Sequence, residues 1–376
     1  MTSDHLQPDF STAITLQRRT FLLAIGVAAV SGSAAAAPTY DLVSRSLATS
    51  RQTTRYLECG PADGPLMIFL HGWPSIGLMW RAQMEAFSRD GWRCIAPDLR
   101  GYGSSFAPSE TARYSIREVV LDLAELHDHL GGRPAIWVGH DWGSVAASAV
   151  VAHEPNRSRA LVLTSLAYQP RGHALSTIVP LVDRKIYPVD EYPDGQWDYY
   201  RYYTTHFDSA VADLDADKKS SLASIFRSGE VGGVGKASPN AAVTRNGGRF
   251  GAAHRASPTK PDPALWPQAD FDVLVESFED HGFRPSCAWY MNDDANVAYA
   301  REAQNCGRLD QPVLFVNGEF DQICTITGNR QGDPMRDACP DLTIESVASG
   351  HWLPLERKEE LVHIIRNWLQ TRNLTK

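Results

Sequence analysis

The chain has 376 residues, of which 43% are hydrophobic and 21% are charged, and its formal net charge is −8. This is the composition of an ordinary globular protein, and an acidic balance without a basic block argues against nucleic-acid binding, which needs clustered Lys and Arg side chains. No apolar run reaches the ~20 residues that span a bilayer. The length therefore indicates a sizeable core, as one large domain or as a domain with an insertion.

Residues 1–37 have the pattern of a twin-arginine export signal. Arg18 and Arg19 precede a short, mildly apolar stretch that ends at Val30, and small residues with four consecutive alanines follow before Pro38. The apolar stretch is too short to anchor the chain in a membrane, and the order of these features is that of an export signal. An amphipathic N-terminal helix is the alternative interpretation. We expect an exported protein, periplasmic or extracellular, whose fold begins near residue 38.

The chain has six cysteines, and neither a CxxC pair nor the spacing of a metal site occurs among them. Some of them could pair in an oxidising compartment, but the sequence does not choose among the possible connectivities. His127 and His129 lie two positions apart on a predicted helix, so they do not share a face and do not indicate a metal site.

Short apolar runs alternate with helical patterns in the first and last parts of the chain. Two polar–apolar alternations around Thr53 predict an N-terminal hairpin. Strands that alternate with helices predict a mostly parallel sheet covered by helices on both faces, with chemistry beyond the carboxyl ends of the strands. The remaining strands are predicted at 65–70, 93–97, 135–138, 160–164, 312–317 and 342–347.

Residues 167–300 interrupt this alternation and are interpreted as a mainly helical lid. Helices are predicted near 196–227 and 268–281, and the segment 229–267 between them, rich in Gly, Ala, Ser and Pro, predicts a long loop. This interpretation divides the chain into a signal (1–37), a first part of an α/β core (38–166), the lid (167–300) and a second part of the core (301–376).

The central motif is Gly139-His140-Asp141-Trp142-Gly143, which joins a predicted strand to a predicted helix. Small residues at both ends of such a motif allow the tight strand–turn–helix of a nucleophile elbow, whose central residue is usually Ser. A carboxylate at this position is already charged at neutral pH, can displace a leaving group at a saturated carbon, and leaves an ester that water can hydrolyse. An N-capping role for Asp141 is the alternative.

Two further side chains follow the last two predicted strands, in the order that completes a hydrolase triad. His351 comes just after the last strand, and Asp321 comes just after the strand before it, with Glu319 as an alternative acid. The order nucleophile, acid, histidine is that of the α/β-hydrolases. Backbone N–H groups of Trp73 and Trp142 are the candidate oxyanion hole.

Together these motifs resemble the α/β-hydrolase-fold epoxide hydrolases, over nearly all of residues 50–370. The resemblance rests on His71-Gly72-Trp73-Pro74, Asp98-Leu99-Arg100-Gly101-Tyr102-Gly103-Ser104, Gly139-His140-Asp141-Trp142-Gly143, Gly318-Glu319-Phe320-Asp321 and Gly350-His351-Trp352. It implies an α/β-hydrolase fold, no metal or organic cofactor, and two lid tyrosines that donate hydrogen bonds to the epoxide oxygen. Tyr290 matches the family segment that bears one of them. For the other we expect Tyr203, with Tyr202 or Tyr200 as alternatives.

The resemblance implies that Asp141 attacks a carbon of a small-molecule epoxide, and that water activated by His351 and Asp321 hydrolyses the ester to release a vicinal diol. The many aromatic residues in the lid and at Trp73, Trp80 and Trp142 suggest an apolar epoxide, aryl or long-chain. A haloalkane or haloacid dehalogenase with the same nucleophile is the alternative function. Trp73 stands where haloalkane dehalogenases often have Asn, and Trp142 stands where fluoroacetate-type dehalogenases have Arg, so both positions favour the epoxide. A non-catalytic ligand-binding protein is a distant alternative, because a full triad is present.

Overall fold

The computed structural model describes residues 39–375, so the expected export signal lies outside the described residues. Eight strands form one sheet, in the order β1-β2-β4-β3-β5-β6-β7-β8. The strands are β1 (Val43–Ala48), β2 (Thr53–Cys59), β3 (Leu66–Leu70), β4 (Arg93–Pro97), β5 (Ala135–His140), β6 (Ser158–Thr164), β7 (Val313–Gly318) and β8 (Leu342–Val347).

Helices occur between the strands and across the interruption of the α/β alternation. They are α1 (Arg81–Arg89), α2 (Ile116–His129), α3 (Trp142–His153), α4 (Leu175–Ile178), α5 (Asp198–Thr205), α6 (Phe207–Asp215), α7 (Lys218–Ile225), α8 (Gln268–Glu276), α9 (Arg284–Cys287), α10 (Asp293–Ala300), α11 (Asp333–Ala338), α12 (Leu353–Glu356) and α13 (Lys358–Thr371). None of the helices within residues 39–375 is both long and apolar enough to cross a membrane.

The sheet is parallel from β4 to β8, and the β1–β2 hairpin adds an antiparallel edge next to β4. This confirms the mostly parallel sheet and the hairpin that the sequence predicts. Every residue of β3 and β5 is buried, which is typical of parallel strands covered on both faces and explains their continuous apolar runs. The nucleophile motif therefore follows the strand in the middle of the sheet.

The lid differs in detail from the predicted helices. The helices predicted near 196–227 are three short ones (α5, α6 and α7), and Asp217 begins α7 by accepting a hydrogen bond from the Ser220 N–H. Such a cap favours a new helix start over continuation of the preceding helix. Between α7 and α8 the chain forms short 3₁₀ turns at Val231–Gly233, Pro239–Ala242 and Gly251–Ala253, so the predicted long loop is confirmed.

Hydrogen bonds join the lid to the loop that follows β4. The indole N–H of Trp289 donates to the carbonyl of Arg100, at 3.0 Å. The guanidinium of Arg100 is buried and binds both carboxylate oxygens of Asp122 on α2, at 2.7 and 2.6 Å. On the other side of the same loop, Asn296 of α10 accepts a hydrogen bond from the first N–H of α2, at 2.8 Å. These contacts fix the segment that carries Tyr290 above the carboxyl ends of the strands.

All six cysteines lie in the part of the chain that the structure describes, and all are free thiols. Cys306 is exposed and the other five are buried. Cys94 lies in β4 directly opposite Cys59 of β2 and is a buried thiol, which is common for a cysteine in an apolar strand.

Candidate active site

Asp141 lies in the tight turn between β5 and α3, with φ 53° and ψ −125°. A non-glycine residue at positive φ is strained and persists only where its surroundings enforce it. The turn is closely packed: a Cβ on Gly139 would lie 2.4 Å from the carbonyl oxygen of Gly143, and one on Gly143 would lie 2.1 Å from that of Leu70. The predicted strand–turn–helix is confirmed. Asp141 makes no side-chain capping hydrogen bond, so the N-cap alternative is not supported.

The two carboxylate oxygens of Asp141 have different surroundings. Oδ1 accepts a hydrogen bond from the backbone N–H of Trp73, at 2.8 Å, whereas Oδ2 lies 3.9 Å from Nε2 of His351. Burial raises the pKa of Asp141, and the positive charge of His351 and hydrogen bonds from the N–H groups of Trp142 and Trp73 oppose that rise. The two amides predicted as an oxyanion hole therefore already contact the carboxylate in the resting structure.

The loop that presents the Trp73 amide is held by a neutral histidine. Nε2 of His71 accepts a hydrogen bond from the N–H of Leu99, at 3.0 Å, and Nδ1 donates to the carbonyl of Gly72, also at 3.0 Å. Burial lowers the pKa of His71 to about 4, so the ring stays neutral and can accept. A Cβ on Gly72 would lie 2.4 Å from the Asp141 carboxylate, which explains why this position is glycine.

His351 and Asp321 form the histidine–carboxylate pair predicted from their places after the last strands. Nδ1 of His351 donates to Oδ2 of Asp321, at 2.9 Å. Oδ1 of Asp321 accepts from the backbone N–H groups of Ile323 and Cys324, at 2.9 and 3.0 Å. Burial raises the pKa of Asp321, but His351 and these amides outweigh it and the pKa is lowered overall. Glu319, the alternative acid, is exposed.

The charge state of His351 is set by its two carboxylate neighbours. Burial alone lowers the pKa of His351, but the negative charges of Asp321 and Asp141 outweigh burial and raise the pKa to about 9. At neutral pH the resting site therefore holds an imidazolium between two carboxylates. Loss of one of these negative charges would lower the pKa of His351 and favour the neutral imidazole, which can take a proton from water.

The backbone of His351 is held by two side chains on neighbouring strands. His140, at the end of β5, donates from Nε2 to the carbonyl of His351 at 2.9 Å, as expected for a histidine that organises loops. Ser165, just after β6, donates to the same carbonyl at 2.8 Å. Sequence analysis missed Ser165, whose only signal is its place directly after a predicted strand.

The structure places Tyr290 and Tyr199, and not Tyr203, in the chamber with Asp141. The rings of Tyr199 and Tyr290 lie 5.9 Å apart, and their hydroxyls are within hydrogen-bonding reach of each other. Burial, with the charge of Asp141 added, raises the pKa of both phenols well above the ordinary value. Both hydroxyls therefore remain protonated at neutral pH and can donate.

The expectation of Tyr203 as the second donor is wrong, because Tyr203 lies one helical turn beyond Tyr199 on α5 and does not line the chamber. Its hydroxyl is next to Arg249. The two alternatives are also engaged elsewhere: the hydroxyl of Tyr200 donates to Asp293, and that of Tyr202 donates to the carbonyl of Gly247 at 3.3 Å. Because four of the five residues 199–203 are tyrosines, the sequence does not show which of them faces the chamber.

The chamber has a volume of about 710 Å³ and is aromatic near Asp141 and polar farther out. Trp73, Tyr199, Tyr290 and Trp352 line the aromatic part. The polar part comes from the loop after α7 and the loop after β7. Sequence analysis missed these wall residues, which are Ser224, Arg227, Ser228, Glu230, Lys236, Ser238, Asn240, Arg249 and Gln322.

With this geometry in view, comparison with known proteins is informative. Residues 65–211 match the family model described as the alpha/beta hydrolase fold. The chain has the α/β-hydrolase fold. It is 29% identical to epoxide hydrolase A of Mycobacterium tuberculosis over 339 residues, which cover 89% of the chain and 98% of that protein.

Solved structures of epoxide hydrolases have the same fold as this hydrolase. One from an endophytic Streptomyces has a TM-score of 0.69 and 28% identity, and the match covers 88% of the chain and 96% of that structure. Epoxide hydrolase A from Mycobacterium thermoresistibile has a TM-score of 0.72 at 24% identity, covering 88% and 98%. The α/β-hydrolase fold implied by the resemblance is therefore confirmed.

Within residues 39–375, one group of side chains has atoms close enough to hold a metal ion: Asp321, Cys324 and His351, with their ligand atoms within 4.8 Å of one another. Two of these three side chains already bind each other through the Nδ1–Oδ2 hydrogen bond. Burial, together with the charge of Asp321, raises the pKa of the Cys324 thiol well above its ordinary value, so the thiolate that a metal needs is disfavoured. The arrangement of these side chains is that of a histidine–carboxylate pair in a hydrolase rather than that of a metal centre.

The electrostatic account of His351 is testable by titration. Replacing Asp321 with Asn should lower the pKa of His351 from about 9 towards 6.5, because the closer negative charge is lost. Asp141→Asn should lower it by less, since that carboxylate is 3.9 Å away. NMR titration of the histidine Cε1 protons measures both values, with the His351 signal assigned by its disappearance in His351→Gln. Unchanged titration in both variants would contradict the account.

Proposed function

We propose that the hydrolase is an epoxide hydrolase that converts an epoxide and water into a vicinal diol. Relatives named epoxide hydrolases, 28–29% identical over most of the chain, support this function. The observation that carries the proposal is that Asp141 and the Tyr199–Tyr290 pair line one chamber. Opening an epoxide needs a nucleophile at carbon and a proton donor at oxygen, and these residues supply both.

In the first step, Oδ2 of Asp141 is the attacking oxygen, because Oδ1 is held by the Trp73 amide. A bond forms between Oδ2 and a ring carbon while the carbon–oxygen bond of the epoxide breaks. The developing alkoxide is stabilised by the hydroxyls of Tyr199 and Tyr290, which stay protonated because their pKa values are raised. The product of this step is an alkyl ester of Asp141.

In the second step, ester formation itself switches on the base. The ester carries no charge, so His351 loses one of the two carboxylates that raise its pKa, and the imidazolium gives up its proton. The alkoxide takes up one proton and becomes the hydroxyl of the ester intermediate, so that ester formation leaves a neutral His351. Neutral His351 then takes a proton from water, which attacks the ester carbonyl carbon, and Asp321 stabilises the imidazolium that forms. The amides of Trp73 and Trp142 stabilise the oxyanion at Oδ1, and the diol leaves with Asp141 restored.

The dehalogenase alternative receives less support from this geometry. A halide site would need free donors near the nucleophile, and the indole of Trp142, the residue that follows Asp141, is the donor that the sequence suggests. Its hydrogen bond to the Tyr290 hydroxyl opposes the rise in the pKa of that phenol, so this donor is already engaged. The engaged indole and the paired phenols both favour an epoxide oxygen as the group that the site stabilises.

Trapping the ester tests the two-step route. In His351→Gln, alkylation of Asp141 should proceed while ester hydrolysis slows by at least about 1,000-fold, because the general base is lost. Intact-protein mass spectrometry with styrene oxide should then show an adduct of one epoxide on each chain. Asp141→Asn should form no adduct. Steady diol release by His351→Gln without an adduct would refute the covalent route.

The roles of the phenols predict a specific pattern of loss. Tyr290→Phe and Tyr199→Phe should each slow diol formation by about 100-fold, and the double variant by more, because donors to the alkoxide are removed. Tyr202→Phe is the matched control on the same helix and should stay within about twofold of the wild type. Rates of diol formation measure the effect. If Tyr199→Phe behaves like the control, the second donor lies elsewhere.

We also propose that residues 1–37 direct export through the twin-arginine route, on the strength of Arg18, Arg19 and the small residues before Pro38. Changing both arginines to Lys keeps the positive charge but removes the pair. The double variant should remain in the cytoplasmic fraction of the host cell, whereas the wild type should appear in the periplasm. Immunoblots of the two fractions measure the outcome, and equal distribution of both proteins would contradict export by this route.

A further inference from the structure

Positively charged side chains without an acidic partner line the wall of the active-site chamber. Arg227, Lys236 and Arg249 line the chamber. Within residues 39–375, none of these three side chains forms an ion pair with an acid. The acids near the nucleophile are already engaged, since Asp321 binds His351 and Asp141 binds the Trp73 amide. Glu230 is the remaining acid on this wall, so cations outnumber uncommitted acids there.

Arg249 is the one of these three cations that packs against a ring of the aromatic part. Its guanidinium carbon lies 5.8 Å from the centre of the Trp73 ring, and the amide of the same tryptophan binds Asp141. Nη1 of Arg249 is buried and has no hydrogen-bond partner. The neighbouring hydroxyl of Tyr203 is fully buried, and the charge of Arg249 and a hydrogen bond from it oppose the burial that raises the pKa of this phenol. The hydroxyl carries no negative charge, so the guanidinium still lacks a counter-charge, and its Nη1 lacks an acceptor, next to the aromatic part of the chamber.

A half-buried guanidinium without a counter-charge is unfavourable, because it loses part of its hydration and gains no acceptor in return. Contact with the Trp73 ring offsets only part of that loss. The planar fork of an arginine side chain matches the two oxygens of a carboxylate, which would supply both the missing charge and the missing acceptors.

We propose that Arg249 forms an anion-binding subsite, and that the preferred substrates are aryl or similarly compact epoxides that carry a carboxylate. The aromatic part of the chamber takes the epoxide end, and the acid group faces Arg249, with Lys236 and Arg227 adding positive charge farther out. This subsite rests on the proposed function, since it names the substrate class of the same chamber. Arg249 acts here as a specificity-determining residue.

The test compares styrene oxide bearing a para-carboxylate with the methyl ester of the same compound, which has the same ring and no charge. Arg249→Met removes the cation but keeps the length of the side chain. In this variant kcat/KM for the carboxylate should fall by about 30-fold, mainly through KM, while the value for the ester stays within about threefold. Arg249→Lys should recover part of the loss, because it keeps the charge without the fork.

Arg245→Met is the matched control. It removes the same charge from the same loop, but Arg245 is exposed, pairs with Glu191 and does not line the chamber. Its kinetic constants for both epoxides should match the wild type. A drop in kcat/KM of the same size for the acid and the ester in Arg249→Met, or a wild type that prefers the ester, would overturn the subsite.

A binding measurement separates failure of the subsite from failure of the proposed function. Para-ethylbenzoate has the charged ring but no epoxide, so calorimetric titration reports the subsite without turnover. It should bind the wild type at least about tenfold more tightly than Arg249→Met. Binding that depends on Arg249, without diol from any epoxide, would refute the proposed function alone. If diol forms but para-ethylbenzoate binds the wild type and Arg249→Met with equal affinity, the subsite alone is refuted.

Discussion

The coupling between the charges of Asp141 and His351 organises the whole site. The carboxylate lies in a strained turn, with φ 53°, where the packing of Gly139 and Gly143 leaves the nucleophile no other conformation. That placement sets Oδ2 3.9 Å from Nε2 of His351, close enough for the negative charge to raise the pKa of the imidazole. A serine at the same position would carry no charge and would leave His351 free to act as a base before any ester existed.

In the proposed mechanism the site alternates between two charge states. In the resting state the imidazolium favours the anionic form of Asp141, which is the form that attacks carbon, and opposes the effect of burial. In the ester state the imidazole is neutral and can accept a proton. The amides of Trp73 and Trp142 serve both states, because the oxygen that they bind in the carboxylate becomes the carbonyl oxygen of the ester.

The residues that follow strands could be predicted from the sequence, since parallel strands bring their carboxyl ends together. Asp141, Asp321 and His351 each stand at such an end, and the structure places all three in one chamber. Tyr290 could be placed from the family segment around it. The sequence does not show which tyrosine of α5 faces Asp141. Tyr199 and Tyr203 lie on the same side of that helix, one turn apart, and only tertiary packing decides between them.

The loop between α7 and α8 was recognisable as a loop, but its contacts were not. The side chain of Arg249 packs against the ring of Trp73, although the two residues are far apart in the sequence. No local sequence pattern predicts a contact of that kind. The tyrosine-rich segment that precedes this loop favoured an apolar substrate. The structure adds that several polar and charged side chains of the loop line the chamber.

An anionic substrate would also change the electrostatics of the first step. A carboxylate that enters a chamber already holding the Asp141 anion is repelled, and the repulsion grows as water leaves the chamber. His351 carries a single positive charge, and that charge already interacts with both Asp321 and Asp141. Arg249, beside the ring of Trp73, would supply a compensating positive charge in the same chamber. The same cation that selects an acidic substrate would therefore keep the nucleophile reactive in its presence, so selection and reactivity depend on one side chain.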